Sequence, residues 1–98
     1  MKVYLSPTAE QKFTELLNFL KEKWGESSQR KFLSRFLRKT HQISRFPGSC
    51  PESQKMAGLY KCVVTSQTTF FYRIHNYEIE IVTIFDTRQD PEKADKKL

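Results

Sequence analysis

Residues 59–85, LYKCVVTSQTTFFYRIHNYEIEIVTIF, decide the fold. They hold three β-type runs, 59–65, 68–75 and 77–85, rich in β-branched and aromatic side chains. Ser66-Gln67 and Asn76 separate the runs, and breaks that short predict antiparallel strands joined by hairpin turns. In the third run Tyr77, Ile79, Ile81 and Phe85 alternate against Glu78 and Glu80, the pattern of a strand with one buried face. In the second, Phe70, Tyr72 and Ile74 share a face, which predicts Tyr72 in the core and Arg73 on the opposite side.

Upstream the period changes from two to that of a helix. Residues 2–5, KVYL, read as a short strand that Ser6-Pro7 stops. Ser is a good helix N-cap and Pro is tolerated at the first helical position. Ala9, Phe13, Leu16, Leu17, Leu20 and Trp24 then form one apolar stripe, and Gly25 closes that helix. Ser27 or Ser28 is placed to cap a second helix. It buries Phe32, Leu33, Phe36, Leu37 and Ile43 and turns Arg30, Lys31, Arg35, Arg38 and Lys39 outward. A connection of two residues predicts an antiparallel helical hairpin. Phe46-Pro47-Gly48 ends it, and residues 49–58, SCPESQKMAG, read as a loop. From Asp86 the chain turns polar (86–98, DTRQDPEKADKKL), as expected of a loose, partly helical tail.

The predicted order is β-α-α-β-β-β in one domain spanning 1–98, an α+β fold. A helical hairpin is packed on one face of a small, mostly antiparallel sheet. The helices cover only one face, so the other is left as a groove.

Net charge is +6, and its placement is uneven. Residues 27–77 hold Arg30, Lys31, Arg35, Arg38, Lys39, Arg45, Lys55, Lys61 and Arg73 against Glu52 alone, a balance of +8. Such a field attracts nucleic acid, a ribosome or an acidic partner protein, and it also solvates a helix face. Cys50 and Cys62 do not make a disulfide scaffold and read as buried or idle thiols. His41 and His75 complete no zinc spacing, so neither a metal nor another cofactor is expected. The N-terminus lacks the apolar stretch of a signal peptide, and no run is long enough to span a bilayer. A cytoplasmic chain with no membrane partner is the expectation.

Three pieces carry a resemblance: GLYKCVV at 58–64, FFYRI at 70–74 and IEIVTIFDTRQDPEK at 79–93. With the element order and the length, they resemble the RelE/ParE superfamily of toxins from bacterial type II toxin–antitoxin systems. The resemblance implies a growth-inhibiting toxin held inactive by a cognate antitoxin. RelE-like members cut messenger RNA on the ribosome. ParE-like members inhibit DNA gyrase and do no chemistry of their own.

Metal-free RNA cleavage needs a proton acceptor for the 2′-hydroxyl, cations on the phosphorane and an acid for the leaving oxygen. The resemblance places Lys61, directly after Tyr60, and Arg88 as the catalytic phosphate-binding pair. Lys55, Arg73, Arg35 and Arg38 are the candidate RNA contacts; Lys55 reads nearly as well as a solvated lysine, and the α2 arginines suit an acidic antitoxin equally. Two departures count against the enzyme. Thr69 holds the family's middle-strand arginine position, and nothing aromatic follows Phe85 where a tyrosine is expected. His75 or His41 are the candidates for proton transfer, and a lone histidine at a strand end is more often a surface residue. Glu78 and Glu80 read as a solvated face. Three functions therefore stay open: an mRNA interferase, a gyrase inhibitor, and a basic RNA-binding module without toxicity.

Overall fold

The computed structural model describes residues 1–89. Strand β1 (Lys2–Leu5) leads into helices α1 (Pro7–Trp24) and α2 (Glu26–Arg45), followed by strands β2 (Tyr60–Val63), β3 (Thr68–His75) and β4 (Glu78–Asp86). The sheet runs β1-β4-β3-β2, with β1 parallel to β4 and the other pairs antiparallel. The expected β-α-α-β-β-β order and mostly antiparallel α+β sheet are what the chain forms.

Ser6 starts α1. Its Oγ accepts from the Ala9 N–H at 3.0 Å and donates to Val82 O at 2.8 Å, so one hydroxyl caps the helix and ties it to β4. Gly25 both ends α1 and begins α2, at φ 89°, a left-handed value that glycine adopts without a Cβ clash. The joint between the helices is thus one residue, shorter than expected. Neither Ser27 nor Ser28 caps α2: Ser28 Oγ instead donates to Trp24 O at 3.4 Å.

The core lies between the helices and one face of the sheet. Leu16 and Leu20 of α1, Phe32, Phe36 and Ile43 of α2, and Phe70, Tyr72, Ile79, Ile81 and Ile84 of the sheet are all buried there. Phe36 meets Phe70 with ring centroids 5.5 Å apart, the aromatic link between the layers. Three residues of the predicted stripes stand outside this core: Leu37 at 56% exposure, Trp24 at 52% and the half-buried Leu33. Leu37 sits about 100° around the helix from Phe36, which turns it off the sheet.

Between Phe71 and Tyr72 the β3–β4 register shifts: Phe71 faces Thr83 while Tyr72 faces Ile81, leaving Val82 unpaired. This bulge reverses the alternation of β4. Ile84 therefore joins the core and Phe85, expected beside Ile81, goes to the opposite face, edge-on to Phe71 at 5.8 Å. Tyr77 also leaves its expected buried face. The β3–β4 turn is Asn76-Tyr77, both at positive φ (51° and 61°), and Tyr77 is 87% exposed. Its geometry is that of a hairpin turn in which glycine normally takes the second place.

Two further boundaries differ from the sequence expectation. β2 ends at Val63, because Val64 N–H and Thr65 N–H both donate to Thr68 O and close a longer turn than Ser66-Gln67. β4 runs through Asp86, where a polar tail was expected, and residues 90–98 of that tail lie outside the described residues.

A bulky residue at φ 61° strains the backbone, and the exposed Tyr77 ring forfeits little burial if removed. Tyr77→Gly is expected to raise stability by about 1 kcal/mol. A urea unfolding midpoint that falls would count against a strained turn.

Candidate functional site

Cys62 of β2 and Phe70 and Tyr72 of β3 point to the helices, so Lys61 and Val63, then Thr69, Phe71 and Arg73, occupy the open face. Glu80 faces Arg73 across the β3–β4 ladder, and beyond the bulge Thr83 and Phe85 join the same face. The predicted core position of Tyr72 holds: it is fully buried, its hydroxyl donates to Pro47 O at 2.7 Å, and burial pushes its phenol pKa up. Thr69 is buried on the open face, opposite Phe85.

Lys61 is half-buried and lines a cavity of about 250 Å³ with Phe71, Lys55 and Glu52. The segment that brings Lys55 and Glu52 there is the 46–59 connection. It folds back along β2, with Lys61 N–H donating to Pro51 O at 2.8 Å and Ser53 N–H to Leu59 O at 2.7 Å. Sequence reasoning passed over Glu52 as a residue of this cavity. Its only signal was being the one acid in the basic segment, and its place at the Lys61 cavity follows from the loop folding back along β2, which sets Glu52 opposite Tyr60.

Arg88 is elsewhere. Asp86, with a side chain 1% exposed, binds it three times: backbone N–H to Oδ1 at 2.9 Å, Nε to Oδ1 at 3.1 Å and Nη2 to Oδ2 at 2.7 Å. Thr68 Oγ1 also donates to Oδ2. Burial by itself would raise the Asp86 pKa, but the Arg88 and Thr68 hydrogen bonds and the Arg88 charge outweigh it and hold the carboxyl below its usual 3.8. The guanidinium carbon also lies 5.5 Å from the Trp24 ring centroid, a cation–π contact. Arg88 and Trp24 line a second cavity, about 290 Å³, together with Ser28, Lys31 and Arg35 of α2.

Of the six sequence candidates, the structure brings together Lys61 with Lys55, and Arg88 with Arg35, around two different cavities. Arg73 is on the open face, and its Nε donates to Glu80 Oε1 at 2.6 Å, so Glu80 is its ion-pair partner rather than part of a solvated acidic face. Arg38 is exposed on α2, and so is His41. His75 is exposed at the end of β3, its Nε2 3.2 Å from Asn76 Nδ2. Among the described residues, no three His, Cys, Asp or Glu side chains stand together as a metal site, and no helix is long and apolar enough to cross a membrane.

Residues 3–91 match the family described as the ParE toxin of the type II toxin-antitoxin system, parDE. The chain belongs to the ParE toxin family. Among solved structures it is similar to a chain of the chromosomal ParDE system from P. aeruginosa, at 11% identity and TM-score 0.74, covering 88% of this chain and 95% of that one. It is also similar to a YoeB/ParE toxin from Agrobacterium tumefaciens, at 15% identity and TM-score 0.64, covering 88% and 98%. A YoeB-YefM toxin-antitoxin complex from Staphylococcus aureus follows at 13% identity and TM-score 0.59, covering 87% and 94%. At these identities the likeness is one of fold. No curated protein sequence matches.

The Asp86–Arg88 pair has a testable energetic role. A carboxyl whose folded pKa is depressed contributes stability that is present above its unfolded pKa and lost as pH falls through the folded value. Asp86→Asn is expected to cost about 2–3 kcal/mol at pH 7. The gap between variant and parent should close as pH falls below 3.8. A pH-independent gap in denaturant titrations would show that charge is not what Asp86 supplies.

Proposed function

We propose that this chain is the toxin of a type II pair, neutralised by a cognate antitoxin, and that it acts in the ParE manner by binding DNA gyrase without chemistry of its own. The observation that supports this is the state of its arginines. A phosphate clamp needs cations free to converge on one point. Here Arg88 is engaged by a buried Asp86 at one cavity, Lys61 lines another, and Arg73 is paired with Glu80. The antitoxin is proposed by analogy with the ParDE and YoeB-YefM systems, and the basic outer face of α2 suits an acidic one.

One observation favours a second reading, ribosome-dependent messenger RNA cleavage. Glu52, Lys55 and Lys61 share a cavity, which would supply a proton acceptor and phosphate-binding cations. In that reading the RNA-contact roles of Arg35 and Arg38 pass to steering by the α2 charge.

Purified chain is expected to inhibit supercoiling by gyrase in vitro, while cells expressing it arrest with messenger RNA intact. Translation-dependent new 5′ ends that vanish in Lys61→Ala and Glu52→Gln, with supercoiling unaffected, would overturn the gyrase reading and establish the second.

A further inference from the structure

The fold-back of residues 46–59 along β2 has a definite register. Ser53 N–H donates to Leu59 O and Lys61 N–H donates to Pro51 O, bracketing Glu52 opposite Tyr60. Bonds on either side of a facing pair mark it as a pair that exchanges none itself, and such pairs alternate with bonded ones. Counting in this register, Pro51 faces Lys61 and Cys50 faces Cys62, the second again a pair without mutual hydrogen bonds. Facing residues of that kind have Cα atoms about 4.5 Å apart, within the ~4.4–6.8 Å that a disulfide spans. Both thiols are free and belong to the same helix-side core.

Both are buried, and Cys50, at 7% exposure, is the less enclosed of the two. Cys62 is 1% exposed, and burial, followed by the neighbouring Cys50 thiol, pushes it up to about 12. Cys50 lines a cavity of about 370 Å³ whose rim includes Lys39, Lys61 and the half-exposed Val63. Two ammonium groups on that rim attract an anionic reagent.

We propose that Cys50 is a thiol-exchange site for anionic low-molecular-weight disulfides, and that Cys62 resolves the adduct into an intramolecular Cys50–Cys62 disulfide. In the first step the Cys50 thiolate attacks one sulfur of glutathione disulfide. The S–S bond breaks, one glutathione leaves as thiolate, and Cys50 holds the other. In the second, Cys62 loses its proton to solvent and attacks the Cys50 sulfur, expelling the second glutathione. Two protein thiols are oxidised and one glutathione disulfide is reduced to two thiols. The product staples the segment carrying Glu52 and Lys55 to the strand carrying Lys61.

The test is incubation of the folded, full-length chain with glutathione disulfide at neutral pH, followed by intact mass and peptide mapping. The parent chain should lose two hydrogens, retain no glutathione and yield one peptide pair joined through Cys50 and Cys62. Cys62→Ala should stop at one glutathione on Cys50, formed about tenfold faster than any adduct on Cys62 in Cys50→Ala. Persistence of two free thiols in the parent chain, a stable adduct on it, or a disulfide only between chains would each overturn the proposal. The parent result decides even if a variant does not fold.

Discussion

One unpaired residue in β4, Val82, governs how the two faces of the sheet are populated. Side chains alternate along a strand, so a single inserted residue exchanges the faces of everything beyond it. Up to Ile81 the register sends isoleucines to the helices and glutamates outward. Beyond Val82 it sends Ile84 inward and Thr83 and Phe85 outward. The carbonyls at this point do not go unpaired: Val82 O accepts from Ser6 Oγ and Ile81 O from Ser6 N–H. The residue that starts α1 therefore also holds the bulge, so helix entry and strand phase are set by one contact. The open face owes its aromatic pair, Phe71 and Phe85, to that phase.

The sequence made much of this legible. Element order, helix faces and the inward position of Tyr72 all follow from local period, because burial on one side of an element imprints its own spacing. The bulge does not. It is a property of the pairing between two strands, and TTFFYRIH and EIEIVTIF each read as regular when taken alone. The one-residue joint at Gly25 was hidden for a related reason: serines at 27 and 28 advertise a cap, yet a positive-φ glycine turns the chain before they are reached. Tyr77 shows the same limit, since its aromatic ring reads as strand while its backbone makes the turn.

The candidate site was legible as a list of cations and illegible as an arrangement. Lys61 beside Lys55 depends on a loop pairing with β2, which no local pattern announces. Arg88 and Asp86 are only two residues apart, but a nearby acid in a polar stretch looks like solvated charge. Burial of Asp86 to 1% at the end of β4 turns that acid into the fixed partner of the arginine. Charge counted along a chain overstates the charge offered to a ligand wherever acids are buried against bases.

That overstatement bears directly on mechanism. For Arg88 to grip a phosphate through its Nε–Nη2 edge it would have to leave Asp86 and Thr68, stranding a buried carboxylate. Breaking such a pair costs about 3–5 kcal/mol. A charge-assisted hydrogen bond to a new anion returns about 1.5–3 kcal/mol. The exchange is unfavourable unless the ligand also supplies a cation for Asp86, so Arg88 acts as a brace holding the end of β4 against Trp24 of α1. Lys61, facing Phe71 across the β2–β3 ladder and with no such acid among its cross-strand partners, is under no comparable restraint. Of these cations, Lys61 is therefore the one left free to meet an anion, while the positive charge on the outer face of α2 suits long-range attraction rather than a fixed grip.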